Sequence, residues 1–269
     1  MLALFLLASC GTQTEASRQP AKDPATDTAS AQPPTPPTPD AVPPSGERVK
    51  ESEADGRWSF EYAWPKEVSA IPALAERFTE EREEARRELR ADYEKAVAEA
   101  PEDCVSCRSR GYGKTWAVVA ETPAFLSLSA EMYSYTGGAH GMSNFDSLLW
   151  DKSADVPRET MDLFRSKAAL DGAVRDVFCT AVDKERARRR GGPIERSDDW
   201  SRDCLKPSEA GTLILGSRDG RSFDRIGFLL APYTAGSYAE GSYDITLPVT
   251  RAVREAVKPE YRGAFAVAN

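Results

Sequence analysis

A glycine-rich loop between two strand-like stretches places the strongest local constraint on the fold of this chain. Residues 125–135 and 142–150 are both rich in aromatic and branched side chains, as β-strands are. The loop between them contains Gly137-Gly138 and His140, the only histidine in the sequence. Paired glycines adopt backbone angles that other residues avoid, so they can turn the chain sharply. We therefore predict two strands joined as a hairpin with a longer connection.

The N-terminal residues have the pattern of a bacterial lipoprotein signal. Residues 1–9 are apolar, and Leu7-Ala8-Ser9-Cys10 matches the lipobox, in which the cysteine is lipidated. The apolar run is shorter than the roughly 20 residues that span a bilayer. We predict a signal peptide over residues 1–9 and lipid attachment at Cys10, the alternative being a chance apolar N-terminus on a cytosolic protein. Secretory signals begin with positive charge, which this one lacks, so we expect the natural start to lie upstream.

A segment that is poor in large apolar residues follows, from residue 10 to residue 57. It is rich in Pro, Thr and Ser, and cannot bury enough surface to offset the entropy of ordering. We predict a disordered, extended tether that lets a folded domain stand away from a membrane. The net charge of the whole chain is −8, which argues against nucleic acid as a partner.

Four cysteines remain in the region that can fold, and an even number predicts disulfides in an exported protein. Adjacency in sequence favours the pairs Cys104–Cys107 and Cys179–Cys204, although four cysteines allow three pairings. Two alternatives stay open. One is a redox-active C-x-x-C motif at Cys104, and the other is a zinc ion held by all four thiolates.

The remaining pattern mixes short strands with two long helices, without regular alternation of strand and helix. Further strands are predicted at residues 58–64, 115–122, 213–215, 225–231 and 243–247. Helices are predicted at residues 70–98, 167–188 and 248–257. We predict an α+β fold of short, mostly antiparallel strands. Two small fused subdomains are expected, at residues 58–122 and 123–269.

Two of these elements carry further predictions. Pro65 follows the strand at residues 58–64 directly, which predicts that this strand lies at the edge of its sheet. The basic run at residues 186–190 falls at the end of a predicted helix. We expect it to complement the negative end of the helix dipole rather than to bind lipid headgroups.

The glycine loop also supplies the candidate binding residues. Consecutive backbone N–H groups at Gly137 and Gly138 can form a concave site for an anion. His140 can donate or accept a hydrogen bond, and Tyr135 and Asn144 can complete a polar patch. We therefore predict ligand or partner contact at these five residues. The alternative is a structural role, in which His140 bonds to neighbouring backbone and Tyr135 fills the core.

Several stretches resemble those of a known family. They are YSYTGGAHG at residues 133–141, NFD at residues 144–146, MDLF at residues 161–164 and FLLAPYTAGSYAEGSYDITLPV at residues 228–249. They resemble the C-terminal extracytoplasmic domain of the anti-sigma factor RsiV, a domain type that also occurs beside the catalytic domain of the peptidoglycan deacetylase PdaC. Residues 58–122 resemble the smaller domain that accompanies it. The resemblance implies α+β domains outside the cytoplasm, linked to the cell wall and, in RsiV, to lysozyme binding.

We predict a lipid-anchored binding module of the cell envelope that recognises peptidoglycan or a protein such as lysozyme, without catalysis or a cofactor. Metal-dependent deacetylation uses one aspartate and two histidines on one metal, so a chain with one histidine cannot supply that set. The expected location is the periplasmic or extracellular side of the envelope. The outer membrane is preferred, because Gly11 follows Cys10 where an Asp often retains lipoproteins at the inner membrane.

Two other functions stay open. One is an envelope hydrolase in which His140 acts as the base for Ser134 or Ser143, oriented by Asp146. No nucleophile-elbow, P-loop or dinucleotide-binding motif in the sequence supports it. The other is a purely structural subunit of the envelope.

Overall fold

The described part of the chain folds into two β-sheets with helices packed on them. The computed structural model describes residues 46–52, 56–195, 199 and 201–268. The first sheet has six strands in chain order: β1 (Glu47–Ser52), β2 (Trp58–Trp64), β3 (Arg110–Glu121), β4 (Phe125–Tyr135), β5 (Met142–Asp151) and β6 (Val156–Arg158). The second sheet has three: β7 (Thr212–Gly216), β8 (Arg225–Leu230) and β9 (Tyr243–Pro248). The helices are α1 (Lys66–Ser69), α2 (Pro72–Glu99), α3 (Lys167–Arg190), α4 (Pro207–Ala210) and α5 (Arg251–Ala256). The α+β prediction is confirmed.

Helix α2 covers one face of the first sheet. Strands β2 and β3 are parallel, and α2 is the crossover that such a pair requires. The helix turns its buried side towards the sheet: Leu74, Phe78, Leu89 and Ala96. Alternate residues of β2 are buried against it: Trp58, Phe60, Tyr62 and Trp64. Alternate residues of β2 and the residues along one side of α2 therefore pack into one shared core that is rich in aromatic side chains.

The second sheet packs with α3 and α5 around a separate core. Phe178 of α3 meets Phe228 of β8 with ring centroids 5.0 Å apart. Phe125 of β4 and Leu149 of β5 belong to the same core, so the second sheet covers one end of the face that α2 leaves free. The other end of that face is open to solvent and contains a cleft.

Strand β1 corrects two predictions. It pairs with the outer side of β2, so residues 58–64 form an internal strand rather than an edge strand. The tether predicted for residues 10–57 does not hold over Glu47–Ser52. Strand β1 has no alternating apolar pattern from which it could be predicted, because its side chains contact their neighbours mainly through ion pairs. These pairs join Arg48 and Lys50 to Glu61, Glu47 to Arg82, and Glu51 to Arg86.

Both disulfides that adjacency favours are present. Cys104–Cys107 closes the turn between α2 and β3, and Cys179–Cys204 ties α3 to the segment before α4. With these four sulfurs bonded in pairs, no thiolate among them is left for the zinc alternative. The first disulfide therefore lies just after the end of α2, and the second is attached to the middle of α3.

The predicted boundary between residues 122 and 123 falls at the turn between β3 and β4, which are neighbours in one sheet. The division into two subdomains stays a prediction. Residues 1–45 lie outside the described residues, and so do Cys10, the signal peptide and most of the predicted tether. Within the ranges that the structure describes, no helix is both long enough and apolar enough to cross a bilayer.

Candidate functional site

A cleft of about 270 Å³ opens on the face of the first sheet that α2 leaves free. Gly113 of β3 forms its floor, between Glu61 on β2 and Tyr133 on β4. Successive side chains of a strand point to opposite faces, and Gly113 turns towards the cleft with no side chain to fill it. A Cβ added at Gly113 would meet only the Cβ of Tyr133, at 3.7 Å. The cleft therefore exists because β3 lacks a side chain at this position.

Aromatic rings and hydrogen-bonding groups surround the cleft. Tyr133 and Phe145 contribute rings from β4 and β5. Carboxylates and hydroxyls come from Ser59, Glu61, Thr115, Glu131, Ser143 and Ser242. Lys50 of β1 lies at the rim, where its ammonium group is 3.5 Å from a carboxylate oxygen of Glu61. One ligand can thus meet both apolar ring faces and groups that fix its orientation.

The glycine–histidine loop, residues 136–141, lies beside this cleft. Gly137 and Gly138 have φ angles of 99° and 95°, in the left-handed region that glycine tolerates. Gly137 also packs on the disulfide turn, where an added Cβ would lie 3.0 Å from the carbonyl oxygen of Ser106. Tyr135 is buried, and its hydroxyl donates a hydrogen bond to the carbonyl oxygen of Gly138 at 2.8 Å. The loop is therefore folded back on its own strand.

His140 contacts two tyrosines from the loop between β8 and β9. Its ring stacks on Tyr238, with centroids 3.9 Å apart and planes at 21°. Its Nδ1 is 2.9 Å from the carbonyl oxygen of Gly141, and its Nε2 is 3.5 Å from the hydroxyl of Tyr233. A carbonyl oxygen can only accept, so Nδ1 carries a proton and donates it to Gly141, while Nε2 faces the Tyr233 hydroxyl, which can donate or accept. We call His140, Tyr233 and Tyr238 the aromatic cluster.

Gly141 connects the aromatic cluster to the cleft. Its carbonyl oxygen accepts a hydrogen bond from the Tyr238 hydroxyl at 2.9 Å. The ring of Tyr133 lies so close to Gly141 that a Cβ there would overlap it. Burial raises the pKa of Tyr133, and the neighbouring Tyr238 adds to the rise. The ring surface of the aromatic cluster therefore continues into the cleft through Tyr133.

Glu240 holds the loop that carries both tyrosines of the cluster. Its carboxylate accepts from Arg190 at 2.9 Å, from the Tyr243 hydroxyl at 2.6 Å and from the Ser237 backbone N–H at 2.9 Å. Burial acts to raise the pKa of Glu240, but these hydrogen bonds prevail and lower it from 4.5 to about 2. Burial and the adjacent Glu240 carboxylate raise the pKa of Tyr243 to about 12.

The basic run at residues 186–190 has a larger role than the sequence predicted. Besides Arg190, the fully buried Arg186 donates to the carbonyl oxygens of Ala235 and Asp203, both at 2.8 Å. A buried guanidinium without such acceptors would be costly. These arginines lie at the end of α3, where complementing the helix dipole stays a prediction, and two of them also anchor the loop of the aromatic cluster.

The structure places the five predicted contact residues in two separate positions. Tyr135, Gly137, Gly138 and His140 belong to one folded loop. Asn144 is not in that loop but on β5, where it is among the residues that line the cleft, and its Oδ1 accepts from the backbone N–H of the next residue at 2.9 Å. Strand alternation turns the Asn144 side chain to the side of the sheet that carries α2, away from Tyr133 and Tyr135. Ligand contact by any of the five stays a prediction.

The catalytic alternative is not assembled in the part of the chain that the structure describes. Ser143 and Asp146 are an odd number of residues apart on β5, so they point to opposite faces of the sheet. Asp146 binds the ammonium group of Lys114 at 2.7 Å on the α2 side. Ser134 also points to that side, whereas His140 is held by the backbone and by tyrosines. These groups therefore form no hydrogen-bonded relay.

Sequence reasoning missed the cleft and the partners of His140. The cleft had a signal in Gly111 and Gly113, two glycines with the period of a strand, which together remove side chains from one face. Tyr233 and Tyr238 were recognised only as loop residues. No local pattern could pair Tyr233 with His140, since 93 positions separate them.

The fold and the cleft define an α+β protein with an open cleft on the free face of its first sheet. Residues 52–143 match the family model described as "Deacetylase PdaC". This segment is therefore similar to a PdaC-type domain, which confirms the predicted resemblance to the RsiV and PdaC extracytoplasmic family. No curated protein sequence matches the chain.

Two DUF3298 family proteins are among the solved structures that are similar to this chain. One is a member of the DUF3298 family from Bacteroides fragilis NCTC 9343, with 16% identity and a TM-score of 0.46 over 81% of this chain and 95% of that one. The other is a DUF3298 family protein from Pseudomonas aeruginosa PAO1, with 14% identity and a TM-score of 0.45 over 85% of this chain and 99% of that one.

The residues present do not fit a deacetylase-type metal site. In the described ranges, no group of three or more His, Cys, Asp or Glu side chains is placed to hold a metal ion. His140, the sole histidine, has its two ring nitrogens directed at Gly141 and Tyr233. We derive no metal-dependent step for this chain.

Proposed function

We propose that this chain is an extracytoplasmic module that binds the glycan of peptidoglycan in the cleft at Gly113 and leaves it chemically unchanged. The observation that carries the proposal is the cleft, in which ring faces lie next to carboxylates and hydroxyls. A sugar has an apolar face and a rim of hydroxyl groups. It can pack on Tyr133 and Phe145 while its hydroxyls donate to Glu131 or Glu61.

The dimensions of the cleft support a slender ligand. Its volume of about 270 Å³ is slightly below the roughly 300–1,000 Å³ of sites that enclose a drug-sized molecule. It is open to solvent, so a chain-like ligand can lie across it and leave at both ends. A stable protein partner buries about 800 Å² on each side and would extend far beyond the cleft. These dimensions favour a glycan over lysozyme as the occupant.

The proposal includes a location outside the cytoplasm. The disulfides Cys104–Cys107 and Cys179–Cys204 are typical of an oxidising compartment. We further propose lipid attachment at Cys10 and residence at the outer membrane, which concern a part of the chain beyond the described residues. Cys10→Ser should abolish incorporation of a labelled fatty acid and move the protein from the membrane to the soluble fraction. Unchanged labelling would remove the anchor from the proposal.

The glycan proposal can be tested by co-sedimentation of the full chain with purified insoluble peptidoglycan at about 0.15 M salt, where long-range charge attraction is screened. Gly113→Val fills the floor of the cleft with a residue that suits a strand, and its Cβ meets nothing nearer than 3.7 Å. We expect wild type to sediment with peptidoglycan and Gly113→Val to remain largely in solution. Gly172→Ala is the matched control, because an added Cβ at this position in α3 has no neighbour within 4 Å.

Four outcomes decide the proposal. Retention of wild type and Gly172→Ala with loss of Gly113→Val supports the cleft as the glycan site. Equal retention of all three places the binding elsewhere on the chain. Capture by immobilised lysozyme, with no retention on peptidoglycan, replaces the glycan with a basic protein. The appearance of new reducing ends or free amino groups in the peptidoglycan would show that the chain is an enzyme.

A further inference from the structure

Tyr233 exposes an aromatic ring from a strained backbone position. Its φ angle is 70°, and its side chain is 46% exposed. A residue with a bulky side chain rarely adopts positive φ, because its Cβ then crowds the backbone. Strain of this kind persists where the surrounding structure imposes it, and it concentrates at ligand sites. The exposure of the Tyr233 ring is therefore an observation that core packing does not explain.

The three rings of the aromatic cluster form a stepped surface. His140 and Tyr238 have centroids 3.9 Å apart, and Tyr233 lies 5.5 Å from Tyr238 and 6.4 Å from His140. The planes differ by 21°, 35° and 33°, so His140 and Tyr238 cover one face of each other, and Tyr233 is tilted against both. Tyr233 is the exposed ring of the three, and a flat aromatic ring of this kind matches the apolar face of a sugar ring.

The cluster is supported from behind and is continuous with the cleft. Glu240 and Arg190 hold the loop, and the Tyr238 hydroxyl is bonded to Gly141. Ser242, two positions after Glu240 in the sequence, lines the cleft itself. The same loop therefore contributes both to the exposed rings and to the wall of the cleft. A ligand that leaves the cleft past Tyr133 next meets the aromatic cluster.

We infer that the aromatic cluster is a second sugar-binding subsite, at which Tyr233 stacks on a unit of the glycan that extends out of the cleft. The inference rests on the proposed function and deepens it. It assigns the ligand as an oligosaccharide of several units rather than a single sugar or a chain end. The cleft binds one part of the strand, and the rings bind the next part, so affinity increases with the length of the glycan.

The experiment is calorimetric titration of the full chain with β-1,4-linked N-acetylglucosamine oligosaccharides, from disaccharide to hexasaccharide. For wild type, affinity should increase with length. Tyr233→Gly should bind the disaccharide like wild type but bind the hexasaccharide about tenfold more weakly, as the loss of one ring stack predicts. Glycine accepts a φ of 70°, so this variant keeps the loop conformation. Tyr233→Phe should keep most of the increase in affinity with length, because it keeps the aromatic ring.

The outcomes separate this inference from the proposed function. If Tyr233→Gly gains affinity with length as wild type does, or if wild type shows no gain, the subsite is refuted and the cleft remains. If no oligosaccharide binds wild type, both the proposed function and the subsite are refuted. Val177→Ala removes another exposed side chain, 52% accessible on α3, and should behave like wild type at every length.

Discussion

Arg190 and Glu240 form an ion pair, with 2.9 Å between Nε and Oε2, that joins the last turn of α3 to the loop of the aromatic cluster. The two residues are 50 positions apart in the sequence. Next to them, the guanidinium of Arg189 lies 3.9 Å from the centroid of the Tyr243 ring. A long helix thus holds a surface loop in place through charge. We therefore expect the position of Tyr238 against His140 to depend on the ionised state of Glu240.

Replacing Glu240 with Gln should weaken the fold at neutral pH and make its stability less sensitive to acid. Burial opposes ionisation of Glu240, yet the bonds from Arg190 and Tyr243 lower its pKa from 4.5 to about 2. A carboxyl group whose pKa is lowered by folding stabilises the protein above pH 4.5, and this contribution is lost as the pH falls towards 2. In urea unfolding, we expect Glu240→Gln to cost about 1–3 kcal/mol at neutral pH. The difference from wild type should shrink across that acidic window.

The control for this prediction is Glu209→Gln, which removes a carboxylate from an exposed pair with Lys206 at 3.4 Å. Exposed pairs contribute little, so its unfolding free energy should stay within about 0.5 kcal/mol of wild type. Parallel stability curves for wild type and Glu240→Gln between neutral and acidic pH would show that Glu240 is not the group that titrates.

The two disulfides should contribute unequally to stability. Cys179–Cys204 joins residues 25 positions apart, whereas Cys104–Cys107 joins residues 3 apart. The entropy that a cross-link removes from the unfolded chain increases with the logarithm of the closed loop, so the longer bridge should contribute about 2 kcal/mol more. Burial of Cys179 in the second core adds to its cost. Urea unfolding of the two double serine variants measures the difference, and equal losses would contradict the prediction.

The local part of this fold was predictable, and the reason is visible in β4 and β5. Their alternation and the glycines between them specify a hairpin without any distant contact, and the structure has it at residues 125–135 and 142–151. The apolar residues that recur at three- and four-residue steps along α2 predicted this helix in the same way. The disulfides followed from adjacency of the cysteines in sequence.

The unpredicted parts depend on pairings between distant residues. Strand β1 contributes only Val49 to the core beneath α2, so its sequence resembles that of a linker. Its side chains contact the rest of the sheet and α2 mainly through ion pairs, with Glu61 and with Arg82. The contact of His140 with Tyr233 joins the hairpin loop to the second sheet across 93 positions. A single sequence contains the residues of such contacts but no signal that pairs them.

At Tyr233, unlike at most positions, replacement by glycine should destabilise the protein no more than replacement by alanine. Its φ of 70° costs about 1–2 kcal/mol for a residue with a Cβ, and glycine removes that cost. Glycine also loses about 0.5–1 kcal/mol through the entropy of the unfolded chain. Tyr233→Gly should therefore be as stable as Tyr233→Ala or up to about 1.5 kcal/mol more stable. Thermal unfolding measures the order of the two variants.

Tyr238 supplies the matched comparison for this prediction. It begins a short helical turn, Tyr238–Glu240, and its φ is not in the positive region. Alanine should therefore be more stable than glycine at Tyr238, by about 0.5–1 kcal/mol. If alanine is also clearly preferred at Tyr233, the positive φ is not imposed by the loop, and the strain argument for the subsite loses its support.

The attachment of β1 should depend on salt more than that of any strand inside the sheet. Its ion pairs with Glu61 have distances of 3.4 and 3.5 Å, and Arg48 and Lys50 are 34% and 70% exposed. Salt shortens the screening length from about 10 Å at 0.1 M to about 3 Å at 1 M, which weakens exposed pairs of this kind. Amide hydrogen exchange of β1 should therefore become several-fold faster in 1 M salt, while that of β4 stays unchanged.

Glu61→Gln should reproduce the effect at low salt, because Glu61 pairs with both Arg48 and Lys50. Lys50 also lies at the rim of the cleft, so release of β1 widens the site that we assign to the glycan. High salt should therefore weaken binding of N-acetylglucosamine oligosaccharides, even though these carry no charge for salt to screen. Glu61→Gln should weaken it further, because Glu61 is also a proposed acceptor for the sugar hydroxyls. Exchange in β1 that is insensitive to both changes would mean that its backbone pairing with β2, rather than its charges, keeps it in place.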